Sequence, residues 1–79
     1  MKAIIIMNTE EFKDLCRVTG NAISSLRSCR ECERHAEAKR VREWVAVLEL
    51  AKLSEFSPVL EDRRVVVLEL ARWVLGDLG

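Results

Sequence analysis

Apolar positions along the chain recur with helical spacing, and the first such stretch begins with a strong N-terminal cap. From Phe12 to Cys29, apolar and small residues recur every three or four positions, the spacing of one stripe along a packed helix. Asn8 can cap this helix while Glu11, three residues later, reaches back to the backbone amide of the cap. Met7 and Phe12 flank the cap and predict a hydrophobic staple. We therefore predict a helix from about residue 9.

The Gly20-Asn21 dipeptide interrupts this first stretch. A glycine inside a helix costs about 1 kcal/mol relative to alanine, and Gly-Asn is also typical of turns. The apolar stripe nevertheless continues in phase beyond it. Residues 9–36 are therefore compatible with one long helix or with two shorter ones.

The second half of the chain predicts two more helices. Residues 37–55 contain neither glycine nor proline and predict continuous helix. Ser57 and Pro58 predict a new helix start, because serine caps well and proline at the first helical position loses no hydrogen bond. We expect this helix to end near Leu75, with Gly76 as its stop.

Short loops between these helices predict an all-α fold, a small antiparallel bundle of three or four helices in one domain spanning residues 1–79. Leu78 is expected to fold back on the last turn. Residues 2–7 have β-branched character and also permit a short N-terminal strand, which would need a partner. Val65–Leu70 is the alternative strand with which it could pair, although the capped start and the glycine stop favour helix there.

Residues 45–53 and 65–73 match at six of nine positions, which predicts a pseudo-symmetric helical hairpin unless the match is chance. In each copy, the glutamate and the cation three residues later predict a surface ion pair. The apolar faces of both helices cover half of the circumference or more, whereas a surface helix needs only about 100°.

This surplus apolar surface predicts association, as a homodimer, with a larger protein partner, or both. A compact monomer that covers both faces is the alternative. Tryptophan is enriched among interface anchors, although both tryptophans could instead fill the core. The residues expected at the interface are Trp44, Leu50, Val66, Leu70 and Trp73.

The composition narrows the function classes. Thirteen basic and thirteen acidic side chains cancel, so no strong field attracts nucleic acid or anionic membrane. Three cysteines cannot all pair, which favours a reducing cytoplasm, and the apolar run near the start is too short to span a bilayer. One histidine, no tyrosine and no glycine-rich phosphate loop predict that the protein is not an enzyme and uses no cofactor or small-molecule substrate.

A zinc site is a further hypothesis, because three thiols and one imidazole form a permitted structural zinc set. On a straight helix, residues 29–35 climb about 9 Å, so ligands in this segment converge only if the helix breaks. We expect Cys29 to be a small core residue, and a mid-helix position disfavours a redox pair. The candidate ligands are Cys16, Cys29, Cys32 and His35.

One segment, within residues 12–30, resembles a known family. The run Leu15-Cys16-Arg17-Val18-Thr19-Gly20, followed by Ser24-Ser25-Leu26-Arg27, resembles the helix-turn-helix of regulators of the mercury-resistance (MerR) type. Asn21 departs from the apolar residue of the family pattern. The resemblance implies a turn at Gly20 and a DNA-facing surface. That surface would comprise Ser24, Ser25, Arg27, Arg30 and, at helical spacing, Arg34.

We therefore expect a non-enzymatic helical interaction protein of the cytoplasm, an inhibitor or adaptor that occupies a surface on another protein. Inhibitors encoded by phages and other mobile elements, anti-CRISPR proteins among them, are often of this size, and the analogy is one of size alone. The alternatives are a small dimeric helix-turn-helix regulator that binds DNA and a zinc-stabilised module.

Overall fold

Three helices and two short strands form the part of the chain described by a computed structural model, residues 3–76. This confirms the predicted all-α class, with a minor two-stranded sheet added to the three-helix bundle. No helix within this range combines the length and the apolar content that crossing a membrane would require. The elements are β1 (Ile5–Met7), α1 (Thr9–Ser28), a 3₁₀ turn (Glu31–Glu33), α2 (Arg34–Leu50), β2 (Ala51–Leu53) and α3 (Pro58–Gly76).

The predicted capping box at the start of α1 is confirmed. The Asn8 Oδ1 accepts a hydrogen bond from the Glu11 N–H at 2.8 Å, and the Asn8 N–H donates to the Glu11 Oε1 at 3.2 Å. Met7 packs against the same apolar cluster as Phe12, as the predicted staple requires. The side chains of Asn8 and Glu11 therefore cap this helix as predicted.

α1 continues through Gly20 and ends at Ser28, so the break lies nine residues beyond the expected weak point. The backbone is extended at Cys29 and Arg30, and a 3₁₀ turn follows before α2. A methyl group built at Gly20 would meet no atom within 4 Å. Neither a turn nor a close approach thus requires glycine there. Residues 9–36 therefore form one long helix, a break and the start of a second helix.

The expectation of helix over residues 37–55 is wrong at its end. α2 stops at Leu50, and β2 pairs with β1 in parallel, with Ile5 opposite Ala51 and Met7 opposite Leu53. The short N-terminal strand that residues 2–7 permitted is therefore confirmed at Ile5–Met7, and Val65–Leu70, for which helix was favoured over pairing with that strand, lies within α3. Alternation in β2 explains the change, because Ala51 and Leu53 are buried on one face and the lysine between them is exposed.

The internal repeat does not give two equivalent structures. The last three residues of the first copy form β2, whereas those of the second copy lie in α3. Arg72 accordingly pairs with Glu49 of α2 at 3.8 Å, rather than with the glutamate three residues before it. The predicted pseudo-symmetry is absent because the pairing of β2 with β1 ends the helix of the first copy before the copy itself ends.

α3 begins at the predicted position. Pro58 is its first residue, and the Ser57 Oγ accepts a hydrogen bond from the Leu60 N–H at 3.5 Å. The helix extends to Gly76, one residue beyond the expected end, and the predicted contact of Leu78 lies outside the described residues. The Ser-Pro start signal therefore predicts the helix boundary correctly.

The core consists of two apolar clusters, and α3 contributes to both. One cluster lies at the sheet end of the bundle, around Phe12 and Leu48, and the other around Ile23 and Val41. Leu60 and Leu68 of α3 fill the first cluster. The buried residues of α3, Leu60, Leu68, Ala71 and Val74, all lie on one side of the helix. The opposite side of α3 therefore has no role in the core.

Candidate interaction surface

The side of α3 that faces away from the core carries a row of exposed apolar side chains. At about 100° per residue, these side chains fall within about 60° of one another on the helix circumference. We call this row the α3 outer stripe; it consists of Val59, Val66, Leu70 and Trp73, which are 71%, 63%, 38% and 59% exposed. A soluble helix normally places polar residues on this side. The stripe is therefore the apolar surplus that the sequence predicts.

Charged side chains border the stripe asymmetrically. Asp62 and Glu69 lie along one flank, and both are exposed. Arg63 lies along the other flank, towards α1, where its charge acts on the Cys16 thiol. The Arg27 guanidinium of α1 lies over the Trp73 ring, 5.7 Å from the ring centroid. One edge of the stripe is thus acidic and the other basic.

The predicted interface residues do not form one surface. Val66, Leu70 and Trp73 lie together on the stripe, and Val59, which was not among the predicted residues, extends it by one heptad. The seven-residue spacing of positions 59, 66 and 73 was the signal that would have included it. Leu50 is only partly exposed, at the end of α2.

Trp44 lies away from the stripe and packs against the core, which was the alternative role predicted for it. Its partly buried ring packs against both apolar clusters. It also lines a shallow groove of about 290 Å³ between α1 and α2, together with Val18, Asn21, Ala22, Ser25 and Arg40. The two tryptophans therefore lie on different parts of the molecule, and only Trp73 belongs to the stripe.

A second apolar area lies on the sheet. Ile4 and Ile6 are exposed, and Ile6 lies opposite the exposed Lys52 in the register of the two strands. Phe56, in the loop before α3, is also largely exposed. Parallel sheets are usually covered on both faces, so this outer face is unusual. These residues were not anticipated from the sequence.

The candidate zinc ligands are not brought together. Cys16 is buried in the core, Cys29 is half-buried and its thiol donates to the Leu26 carbonyl at 3.2 Å, and Cys32 and His35 are exposed. α1 ends before Cys29, and Cys32 lies in the 3₁₀ turn, which corrects the mid-helix position expected for this pair. Even so, residues 3–76 contain no group of three or more histidine, cysteine or acidic side chains placed to hold a metal ion.

Burial raises the pKa of the Cys16 thiol. Arg63 and Arg64 favour the thiolate and oppose this rise, while Glu61 adds to it. Because thiolate is the reactive form, we expect alkylation of the folded protein to modify Cys32 at least about tenfold faster than Cys16. Timed alkylation followed by peptide mass spectrometry measures the two rates, with urea-unfolded protein as the control in which they should converge. Equal rates in the folded state would contradict the buried position of Cys16.

The residues of the DNA-binding alternative are exposed, but they do not form a helix-turn-helix. Ser24, Ser25 and Arg27 lie near the end of the continuous helix α1, Arg30 lies in the break, and Arg34 begins α2. The turn that the resemblance implies at Gly20 is helical instead. A recognition helix set at an angle to a preceding helix is therefore not formed by this segment.

The α3 outer stripe is thus the surface with the strongest physical indication of a binding role. Its exposed apolar side chains lie on one side of α3, and opposite charges lie on its two flanks. No protein-family model matches this sequence, and comparison with curated proteins and with solved structures finds no significant match.

Proposed function

We propose that this protein acts by binding a protein surface through the α3 outer stripe, without catalysing a reaction. The observation that carries the proposal is the exposure of four apolar side chains along one side of α3, while the opposite side fills both core clusters. Each Å² of apolar surface left in water forgoes about 25 cal/mol of stabilisation. Continuous exposed apolar surface on a small protein usually marks an interaction site.

The composition of the stripe supports the same proposal. Trp73 supplies a large aromatic surface, and Arg27 lies beside it. Tryptophan and arginine are both enriched among the residues that contribute most to binding energy, whereas the charged rim contributes mainly specificity and orientation. A partner should therefore present an apolar ridge that contacts the stripe, with charges complementary to its two flanks.

A binding role of this kind fits an inhibitor or an adaptor in the cytoplasm, since a small helical domain acts most simply by occupying a surface. The size analogy with inhibitors from phages and other mobile elements points the same way. We do not extend the proposal to DNA binding, because α1 runs straight through the expected turn. If the protein bound duplex DNA at low salt and lost that binding steeply as the salt concentration rose, DNA binding would replace protein binding as the proposal.

Site-specific photo-cross-linking in the cells that make the protein tests the proposal. A photoreactive amino acid at Val66 is expected to give a covalent adduct with a protein, either a second copy or another chain, because the stripe would be covered there. The matched control carries the same group at Lys39, an exposed position of α2. Mass spectrometry identifies the adducts. If Val66 yields no more adduct than Lys39, the stripe is not a binding surface and the proposal fails.

A further inference from the structure

We propose that the α3 outer stripe binds the same stripe of a second copy of this chain, with the two α3 helices parallel about a twofold axis along their length. The inference rests on the proposed function, because it names the partner of the same surface. Three features carry it: the spacing of the stripe, the charges on its flanks and the area that pairing would cover.

The spacing of the stripe matches a parallel coiled coil. Together with Arg63, its residues stand four, three, four and three positions apart, which is the alternation of d and a positions in a heptad repeat. Val59, Val66 and Trp73 then occupy d positions, and Arg63 and Leu70 occupy a positions. The e positions Leu60, Val67 and Val74 pack within the monomer core. The exposed a and d side chains therefore form a helix-pairing pattern that is unused within the monomer.

The charges on the two flanks of the stripe favour a second copy of the chain as the partner. In a parallel pair, an a residue packs beside the preceding g residue of the other helix, so Arg63 of each copy meets Asp62 of the other. Within residues 3–76, Asp62, Arg63 and Glu69 take part in no ion pair, whereas Glu61–Arg64 and Glu49–Arg72 are paired. The unpaired charges of one copy are thus complementary to those of another.

The same charges disfavour an antiparallel pair. In an antiparallel pair, the twofold axis lies across the helices and places each flank of one copy against the same flank of the other copy. Asp62 of one copy would then face Glu69 of the other. Like charges so placed are destabilising. In the parallel arrangement the acidic flank of each copy faces the flank of the other copy that carries Arg63. The direction of pairing therefore follows from the charge pattern.

The area is sufficient for a reversible dimer. Pairing two stripes with their flanking side chains would remove on the order of 1,000 Å² from water, which is about the lower limit for a biological interface and lies in the range of weak, transient contacts. A single charged a position, Arg63, would set the register at some cost in affinity, as polar a residues do in coiled coils. We therefore expect a dimer that dissociates on dilution.

Charge reversal tests both the partner and the direction. Sedimentation velocity of the purified chain, from micromolar to near-millimolar concentration, should show dimers. Asp62→Arg and Arg63→Asp should each weaken dimerisation by about tenfold or more, because each places like charges opposite one another. An equal mixture of the two variants should form heterodimers, and the double variant should dimerise like the original chain. Both side chains are exposed, so circular dichroism should show unchanged helix content.

The outcomes separate this inference from the proposed function. A strictly monomeric chain at the highest concentration overturns the dimer, as does a stronger dimer for Asp62→Arg, which would indicate antiparallel pairing. If the chain is monomeric yet Val66 cross-links to a different protein, the proposed function stands and the second copy is excluded. A monomer without any cross-link at Val66 overturns both.

Discussion

Replacing Phe12 with alanine is expected to destabilise the fold by about 3–5 kcal/mol, the usual cost of truncating a buried phenylalanine. A chain of 79 residues has a free energy of unfolding of about 4–12 kcal/mol. The substitution should therefore leave a protein that is marginally folded or unfolded. The Phe12 side chain is 0% exposed and packs where the start of α1 meets the end of α2 and the start of α3.

Arg64 increases the loss of stability that we expect when Phe12 is replaced. Its guanidinium lies 5.0 Å from the centroid of the Phe12 ring, donates to the Leu48 carbonyl at 3.4 Å and pairs with Glu61 at 3.1 Å. Removing the ring takes away the apolar and aromatic surface on which this partly buried cation lies, which adds to the cost of the cavity. The loss should accordingly fall near the upper part of the range.

Phe56→Ala is the matched control for this prediction, because it removes the same ring from a side chain that is 82% exposed. It should change the free energy of unfolding by no more than about 0.5 kcal/mol. Urea denaturation followed by circular dichroism measures both variants. Similar losses for the two would contradict the core described above, as would a Phe12→Ala protein as stable as the original.

Replacing Val66 with aspartate is expected to weaken association through the α3 outer stripe by at least about a hundredfold, since it places a carboxylate at the centre of an apolar contact. In a parallel dimer the two carboxylates would also face one another. The monomer itself should be little affected, because Val66 is exposed and takes no part in either core cluster. Sedimentation velocity reports the association, and urea denaturation reports the stability.

The adjacent valine provides the control. Val65 is 51% exposed and lies about 100° around the helix from Val66, away from the stripe. Val65→Asp carries the same charge and the same change in helix propensity, so it should leave association close to that of the original chain. If both variants associate equally, whether weakly or strongly, the stripe is not the contact surface.

The local boundaries of this fold were predictable because a few neighbouring side chains determine them. Asn8 and Glu11 satisfy each other's backbone amides across three residues, and Ser57 with Pro58 starts α3 in the same short-range way. The exposed stripe was partly predictable too, since Val66, Leu70 and Trp73 share one side of any helix that contains them. These features depend on spacing along a single element.

Contacts between distant segments decided the rest. Helix propensity favoured residues 51–53 as helix, but pairing with Ile5–Met7 made them a strand and ended α2 at Leu50. Packing likewise partly buried Trp44 against both core clusters and left Trp73 exposed, although both lie in apolar helices. The sequence by itself determined where α1 and α3 start and which residues share a face, but not that α2 starts at Arg34. Only the tertiary structure decided which of those faces are covered, because burial depends on neighbours that spacing along the chain does not specify.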